Sequence, residues 1–288
     1  MVYDNHEIIS AYYQGNRIST IYGCDGNRVF DDFNSGKLTV IMNDESIGKV
    51  RCNSMLVVTN DEVNTASNNQ KSSIVEAYIG ECATGITTSA FTNCTSLINV
   101  HIPNSVTRLF DYVFKNCTSL SSFTIGDNIT RIGLSTFYNC TNLTSVNIGS
   151  GLTYIDNYAF GLCSSLTSIT LPNDVTYIGS NAFNDCTSLT SINIPSGVTT
   201  IEQYAFQGCR SLTSIDIPSG VTRIKGYSFI YCNGLTSITV RATTPPTLGD
   251  YAFADTNNCP IYVPSESVDA YKTASGWSTY ASRIQAIP

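Results

Sequence analysis

Apolar residues along most of this chain recur every 23 residues. With Cys186 as position 0, the unit CTSLTSINIPSGVTTIEQYAFQG has further apolar residues at positions 3, 6, 8, 12, 15, 19 and 20. The alternation at positions 6 and 8 predicts a β-strand with one buried side. Pro195 and the Ser196-Gly197 turn pair predict where that strand ends. A second short extended segment over 198–201 and a turn at Ala205-Phe206 complete the unit.

Three residue types carry this period independently. Each ladder has seven members at 23-residue spacing, namely Cys94, Cys117, Cys140, Cys163, Cys186, Cys209 and Cys232; Leu97, Leu120, Leu143, Leu166, Leu189, Leu212 and Leu235; and Phe91, Phe114, Phe137, Phe160, Phe183, Phe206 and Phe229. One unit cannot enclose so many inward residues, whereas stacked units cover one another. The sequence therefore predicts a β-rich solenoid of about eight coils, beginning near residue 71.

The ends of the array are irregular, as a solenoid requires, because its terminal faces must cover the core. Lys71 stands where the first coil should have cysteine, and Thr243-Thr244-Pro245-Pro246 interrupts the last coil. We predict a small β-rich N-terminal module over residues 1–70, a solenoid over residues 71–258 and a C-terminal cap over residues 259–288. The polar stretch from Asn64 to Ser73 is expected to join the first two.

Composition narrows the range of partners. Charged residues make up only 13%, and 15 Lys plus Arg face 22 Asp plus Glu, giving a net charge of -7. This balance argues against a nucleic-acid partner, because phosphate binding requires a basic surface. No apolar run approaches the roughly 20 residues that span a bilayer. Residues 1–10 lack the basic and apolar regions of a signal peptide, so either such a segment precedes this chain or the protein reaches its destination without one.

The repeated pattern C-x-x-L-x-x-I-x-I-P-x-x-V-x-x-I-x-x-x-A-F-x-x-C resembles the BspA-type leucine-rich repeat over roughly residues 71–258. The tail IYVPSESVDAYKTASGW is also similar to the usual ending of such proteins. The resemblance implies a right-handed solenoid with a parallel sheet on one face. For many members it implies a bacterial surface or secreted protein that adheres to host proteins or other cells. It implies no common enzymatic activity and no fixed set of binding residues.

The cysteine ladder favours free, buried thiols over disulfides or a metal site. Equivalent side chains in a stack point in parallel rather than at each other, and buried cysteine packs as a small apolar residue. No C-x-x-C motif or Cys/His cluster suggests zinc. Off the ladder, a bridge among Cys24, Cys52, Cys82 and Cys259 remains open.

Catalytic and cofactor motifs are lacking, so we predict no enzyme, no cofactor and no metal. His6 and His101 are the only histidines, and no Gly-rich phosphate loop or nucleophile elbow is present. Asp25 and Asn27 with Asp31-Asp32 faintly resemble a calcium loop, but a hairpin turn explains the Asp-Gly pair better.

At two sets of surface positions the residue type changes from coil to coil while the core stays the same, and we predict binding there. The first, here called the sheet face, comprises the outward residues at positions 5 and 7, with candidate residues Asn99, His101, Thr124, Asn147, Thr170, Asn193, Asp216 and Thr239. The second face comprises positions 14 and 18, with candidate residues Arg108, Tyr112, Arg131, Tyr154, Tyr158, Tyr177, Tyr204, Arg223 and Tyr227. Tyr and Arg are enriched at binding hot spots, although their stems can also simply pack over the neighbouring coil.

The predicted function is therefore non-enzymatic binding or adhesion. The solenoid would present its polar face to a protein or glycan on another cell or in the extracellular matrix, from the bacterial cell surface or as a secreted protein. The alternative is a structural spacer or virion-type component, in a virion or inside the cell, that docks to an assembly through residues 1–70.

Overall fold

The computed structural model describes residues 21–22, 28–30, 36–42 and 47–51, and then residues 57–288. Cys24, Cys52 and most of the segment from Asp25 to Asp32 that resembles a calcium loop lie outside these residues, so the predictions about a calcium loop and about Cys24 and Cys52 lie outside them too. Within the described part, the chain forms a β-solenoid of about nine coils with few helices. The predicted solenoid fold is confirmed.

The described N-terminal strands precede the solenoid, and some of them join its sheets. They are β1 (Ile21–Tyr22), β2 (Arg28–Phe30), β3 (Gly36–Met42), β4 (Ile47–Arg51) and β5 (Val57–Val58), with β6 (Ile74–Ile79) as the first strand of the repeats. Strand β3 pairs antiparallel with β4 on one side and with β6 on the other. The sheet is therefore continuous across residue 70, where the module boundary stays a prediction.

A short helix that the alternating apolar pattern does not predict lies in this region. Helix α1 (Asn60–Ala66) begins after Thr59, whose hydroxyl accepts a hydrogen bond from the Glu62 backbone N–H. The Glu62 carboxylate accepts one from the Thr59 backbone N–H at 2.9 Å. This reciprocal capping box satisfies two N–H groups that the first turn would otherwise leave unpaired.

The front sheet is built from the strands at positions 5 to 8 of each coil. After β6 it comprises β8 (Asn99–His101), β10 (Ser122–Ile125), β12 (Ser145–Ile148), β14 (Ser168–Ile169), β16 (Ser191–Ile192), β18 (Ser214–Ile217), β20 (Ser237–Val240), β22 (Ile261–Val263) and β23 (Ile284–Ala286). The strands pair in parallel, with each residue opposite its equivalent 23 positions away, as Ser122 is opposite Ser145. The 23-residue period of the sequence therefore sets which residues lie opposite each other in the sheet.

A second row of strands, the back row, follows the turn after each front strand. Its members are β5 and then β7 (Gly85–Ile86), β9 (Arg108–Leu109), β11 (Arg131–Ile132), β13 (Tyr154–Ile155), β15 (Tyr177–Ile178), β17 (Thr200–Ile201), β19 (Arg223–Ile224) and β21 (Thr247–Leu248). These two-residue strands also pair in parallel. From β9 to β19, each back strand places position 14 outward and position 15 inward.

The core between the two rows is one continuous apolar column. The seven predicted phenylalanines are fully buried, and Phe253 extends their stack by one coil. Neighbouring rings lie almost parallel, as for Phe183, whose centroid is 5.3 Å from that of Phe160 and 5.7 Å from that of Phe206. Each coil thus supplies one ring that covers the ring of the coil before it.

The ladder cysteines form a second buried column beside the rings. Each thiol from Cys117 to Cys232 donates a hydrogen bond to the carbonyl oxygen of the phenylalanine 26 residues earlier, at 3.0 to 3.2 Å. The same carbonyl accepts the backbone N–H that closes its own turn, as Phe91 does from Cys94. Cysteine suits this position because it is small and apolar yet offers a weak donor.

Both ends of the described column are closed by residues that break the repeat. At the first coil, the Lys71 ammonium donates to the Asn60 side chain at 2.7 Å, and burial lowers its pKa. At the other end lie helix α2 (Val268–Thr273) and two 3₁₀ helices (Ser265–Ser267 and Trp277–Arg283). Trp277 is buried against Phe253 and donates its indole N–H to the Pro246 carbonyl oxygen at 2.7 Å.

Candidate binding faces

The sheet face lies where the period-two pattern predicts it. Phe123 and Ile125 of β10 are buried, whereas Ser122 and Thr124 between them are exposed. The same alternation gives β18 an exposed Ser214 and Asp216. Because the strands are in register, equivalent residues line up across neighbouring coils. The face is therefore a strip of short polar side chains.

Residues of the sheet face differ in the side-chain interactions that they form. Thr124, Asn147, Thr170 and Thr239 form no side-chain hydrogen bond with another described residue, and Asn99 is half-buried. Asp216 and Arg241 form a bidentate ion pair, with nitrogen–oxygen distances from 2.7 to 2.9 Å. Both of these side chains are largely exposed, so the pair adds little stability.

Two members of the sheet face are engaged in local structure. The ring of His101 stacks on Tyr78 with the centroids 4.4 Å apart, and burial lowers the pKa of His101, although Glu76 opposes the shift. Asn193 lies beside β14 and bonds both backbone groups of Leu171, donating to the carbonyl and accepting from the N–H at 2.9 Å each. Asn193 thus completes a strand edge, a role that its position in the repeat did not suggest.

Position 14 on the second face forms a linked network in the middle of the solenoid. The Arg131 guanidinium lies 5.5 Å from the ring centroid of Tyr154 and pairs with Asp156. Tyr154 in turn stacks on Tyr177 at 4.4 Å. Burial, followed by the nearby Glu202 carboxylate, raises the pKa of Tyr177 to about 12. These groups mainly satisfy one another, which favours the packing interpretation here.

Position 18 on the second face has a strained backbone. Tyr112, Tyr158, Tyr204 and Tyr227 all have positive φ, between 56° and 61°. A bulky residue seldom adopts this left-handed conformation. The rings of Tyr204 and Tyr227 stack at 5.1 Å, and Tyr158 meets Tyr138 edge-on at 6.0 Å.

The 23-residue spacing does not predict one further tyrosine at the position equivalent to 18. Tyr251 has φ of 55° and stacks on Tyr227 at 5.3 Å. The irregular segment around residues 243–246 makes this coil one residue longer, so that Leu248 lies opposite Ile224, and the 23-residue spacing would have predicted Asp250 instead. The signal that could have found it is the triplet Tyr251-Ala252-Phe253, which repeats Tyr158-Ala159-Phe160 and Tyr204-Ala205-Phe206.

Three clefts open along the second face. One of about 280 Å³ lies between Arg108 and Arg131 and includes Phe110. Another, of about 410 Å³, includes Arg223, Tyr227 and Asp250. The third, of about 450 Å³, lies between Tyr251 and the C-terminal segment. Among the described residues, no three His, Cys, Asp or Glu side chains come together as a metal site would require.

The cysteines fall into two groups. The seven ladder cysteines and Cys259 are free and buried, whereas Cys82 is disulfide-bonded. Burial raises the pKa of the Cys163 thiol to about 12 and raises the pKa values of Cys117, Cys140 and Cys186 as well. Such thiols are poor nucleophiles, because the thiolate is the reactive form.

Comparison with known families identifies the repeats. The model of the BspA-type leucine-rich repeat region matches with six copies, over residues 63–187 and 153–274. The chain belongs to this family. No curated protein matches the sequence significantly.

Solved structures of bacterial leucine-rich repeat proteins share the fold. A leucine-rich repeat protein from Bacteroides ovatus is 23% identical over 71% of this chain and 64% of its own, with a TM-score of 0.52. The Treponema pallidum leucine-rich repeat protein is 23% identical over 77% of this chain and 87% of its own, with a TM-score of 0.54. A protein from Eubacterium ventriosum is 25% identical over 69% of this chain, with a TM-score of 0.53. This chain covers only 50% of the latter.

A membrane helix was not found in the part of the chain that the structure describes. None of its helices is long and apolar enough to cross a bilayer.

Proposed function

We propose that this protein is a non-enzymatic adhesion module whose sheet face binds a protein or glycan on another cell or in the extracellular matrix. The observation that supports this is the exposed row Thr124, Asn147 and Thr170, whose polar groups form no hydrogen bond with another described side chain. A polar group that has no internal role is available to a partner. Solenoids commonly use such extended surfaces for recognition.

The rigidity of the underlying core also supports binding at this face. Val146 and Ile169, beneath the exposed row, are buried, so the polar groups are held at fixed spacing. A preorganised surface loses little conformational freedom on association. We expect many weak polar contacts spread over several coils, with no dominant residue.

The proposed location is the bacterial cell surface or the extracellular space. Membership of the BspA-type family supports it, because surface exposure is what resemblance to that family implies. The disulfide at Cys82 supports it as well, since disulfides persist mainly in oxidising compartments.

The test is binding of the fluorescently labelled chain to epithelial cells and to immobilised fibronectin, collagen, laminin and fibrinogen. Asn147→Lys combined with Thr170→Lys should weaken binding about 5- to 10-fold, because charge and bulk then interrupt the strip. Asn173→Lys is the matched control, as Asn173 is exposed in a turn off the sheet. Equal binding by all three proteins, with unchanged melting temperatures, would show that the sheet face is not the contact surface.

Deleting residues 1–70 would not be a clean test of the spacer alternative. Strand β3 pairs directly with β6, so this deletion would strip the edge of the sheet. The spacer alternative predicts instead that the full chain, wild type included, binds none of these surfaces.

A further inference from the structure

We propose that the cleft between Tyr251 and the C-terminal segment binds one pyranose ring of a neutral saccharide. This cleft, here called the cap cleft, has a volume of about 450 Å³ and is lined by Gly249, Asp250, Tyr251, Gly276, Thr279 and Tyr280. Its size is within the range of about 300–1,000 Å³ that is typical of small-ligand sites. The proposal goes beyond the sheet face and uses none of its residues.

The ring of Tyr251 supplies an apolar platform. Tyr204, Tyr227 and Tyr251 form one stacked column, and Tyr251 is its last ring. Among the described residues no further ring stacks on Tyr251, and its side of the column opens into the cap cleft. Tyr251 is 61% exposed, the highest value among the exposed large hydrophobic residues described. A free aromatic face matches the C–H face of a pyranose.

The turn at Tyr251 does not require an aromatic side chain. Its φ of 55° is left-handed, a conformation that is unfavourable for most residues. Ser135 and Asn181 occupy the equivalent position in other coils with φ of 51° and 57°. Small residues therefore suffice for the turn, and the Tyr251 ring can be replaced without changing the backbone.

Polar groups beside the ring suit sugar hydroxyls. Within the described part of the chain, neither the Asp250 carboxylate nor the Thr279 hydroxyl has a side-chain hydrogen-bond partner. A carboxylate can accept hydrogen bonds from two adjacent hydroxyls, while a threonine hydroxyl can donate or accept. Together with the ring they form an apolar surface with a few polar groups that fix orientation, as in most small-ligand sites.

Glycines and Tyr280 shape the rest of the cleft. A Cβ atom at Gly249 would collide with the backbone nitrogen of Gly226, and Gly276 has φ of 80°. The floor therefore carries no side chains. The Tyr280 hydroxyl accepts a hydrogen bond from the Phe253 N–H at 3.3 Å, which fixes this ring as a wall.

Charge selects a neutral ligand. Asp250 is the only charged residue that lines the cap cleft, so a carboxylated or sulfated sugar would be repelled. The adjacent cleft of about 410 Å³ shares Gly249 and Asp250 with it and adds Gln203 and Tyr227. This continuity leaves room for a second sugar unit.

The experiment is saturation-transfer NMR on the full chain with methyl β-D-galactopyranoside, methyl α-D-mannopyranoside and N-acetylglucosamine. At least one sugar should receive saturation at its ring protons, with millimolar affinity. Tyr251→Asn should weaken that affinity at least 10-fold, and because asparagine tolerates positive φ the variant should fold. Asp250→Asn should weaken it about 3- to 10-fold.

The matched control is Tyr231→Asn, which removes a tyrosine that is 47% exposed and has φ of 62°, away from the cap cleft. It should leave sugar binding unchanged. The proposal is wrong if no sugar receives saturation from the wild-type chain, or if Tyr251→Asn and Tyr231→Asn behave alike.

A parallel arm separates this proposal from the sheet-face proposal. If Tyr251→Asn abolishes sugar binding while adhesion to the cell and matrix panel fails for every form of the chain, the cap cleft is supported and the sheet-face proposal is not. If adhesion depends on Asn147 and Thr170 but no sugar binds, the reverse holds.

Discussion

The Sγ atom of Cys186 donates a hydrogen bond to the carbonyl oxygen of Phe160, 3.2 Å away in the preceding coil. This bond links the two buried columns, because the phenylalanine that supplies the oxygen also supplies the stacked ring. Burial raises the pKa of Cys186, with Cys163 the next largest cause. The thiols must therefore remain protonated for the folded state to persist.

Alkaline pH should unfold the protein through these thiols. The folded pKa of Cys163 is raised from 9.0 to about 12, so the unfolded chain loses this proton first and stability falls as pH rises through that interval. Each such thiol should lower the free energy of unfolding by about 1.4 kcal/mol per pH unit. Urea melts between pH 7.5 and 10.5 measure the slope, and Cys163→Ala should reduce it by about that amount. A free energy that is flat up to pH 10.5 would contradict buried thiols.

Thiol labelling should distinguish the two groups of cysteine. Alkylation of denatured, unreduced protein should modify the seven ladder cysteines and Cys259, because all eight are free, and should leave Cys82 unmodified. Peptide mass spectrometry identifies the sites. Native protein should react far more slowly at the ladder, since those thiols are fully buried. A ladder cysteine that is blocked before reduction would refute the parallel arrangement.

Phe183→Ala should be strongly destabilising. Its ring is fully buried between Phe160 and Phe206, so truncation loses apolar contact and leaves a cavity, at a cost of about 3–5 kcal/mol. Thr176→Ser is the mild control, because it keeps a hydroxyl that can bond the Thr153 carbonyl oxygen. Denaturant melts compare the two. A change within about 0.5 kcal/mol for Phe183→Ala would mean that this ring is not in the core.

Asn193→Ala should lower the free energy of unfolding more than Asn147→Ala does. Removing the Asn193 amide leaves the Leu171 N–H and carbonyl without their side-chain partner, which should cost about 1–3 kcal/mol. Asn147 also lies at position 7 but forms no such bonds, so its truncation should change the free energy of unfolding by no more than about 0.5 kcal/mol. Equal costs in chemical melts would show that the Asn193 contacts add no stability.

The 23-residue period was sufficient to predict the solenoid and its core. Period and register coincide in stacked parallel coils, so positions such as Phe183 and Leu189 could be assigned inward from spacing alone. The helix after Thr59 carries its own capping signal in Glu62, which the alternation of apolar residues does not reveal.

Spacing could not predict roles that depend on neighbouring backbone or on an insertion. Asn193 lies at position 7, which the spacing predicts to be exposed and free. Its side-chain amide instead accepts a hydrogen bond from the Leu171 N–H, as a neighbouring strand would. The spacing did not predict Tyr251 because its coil is one residue longer than the others, which shifts its number but not its place in the stack. Periodicity therefore predicts which way a residue points, and not what it contacts.

The position of Trp277 over Phe253 has a consequence for assembly. A stack of identical coils presents at its end the same surface that the next coil would cover, so an uncovered end could accept a coil from another copy of the chain. The indole occupies that surface, and its bond to the Pro246 carbonyl holds it there. Trp277 thereby covers the apolar surface that a further coil would otherwise contact at this end of the solenoid.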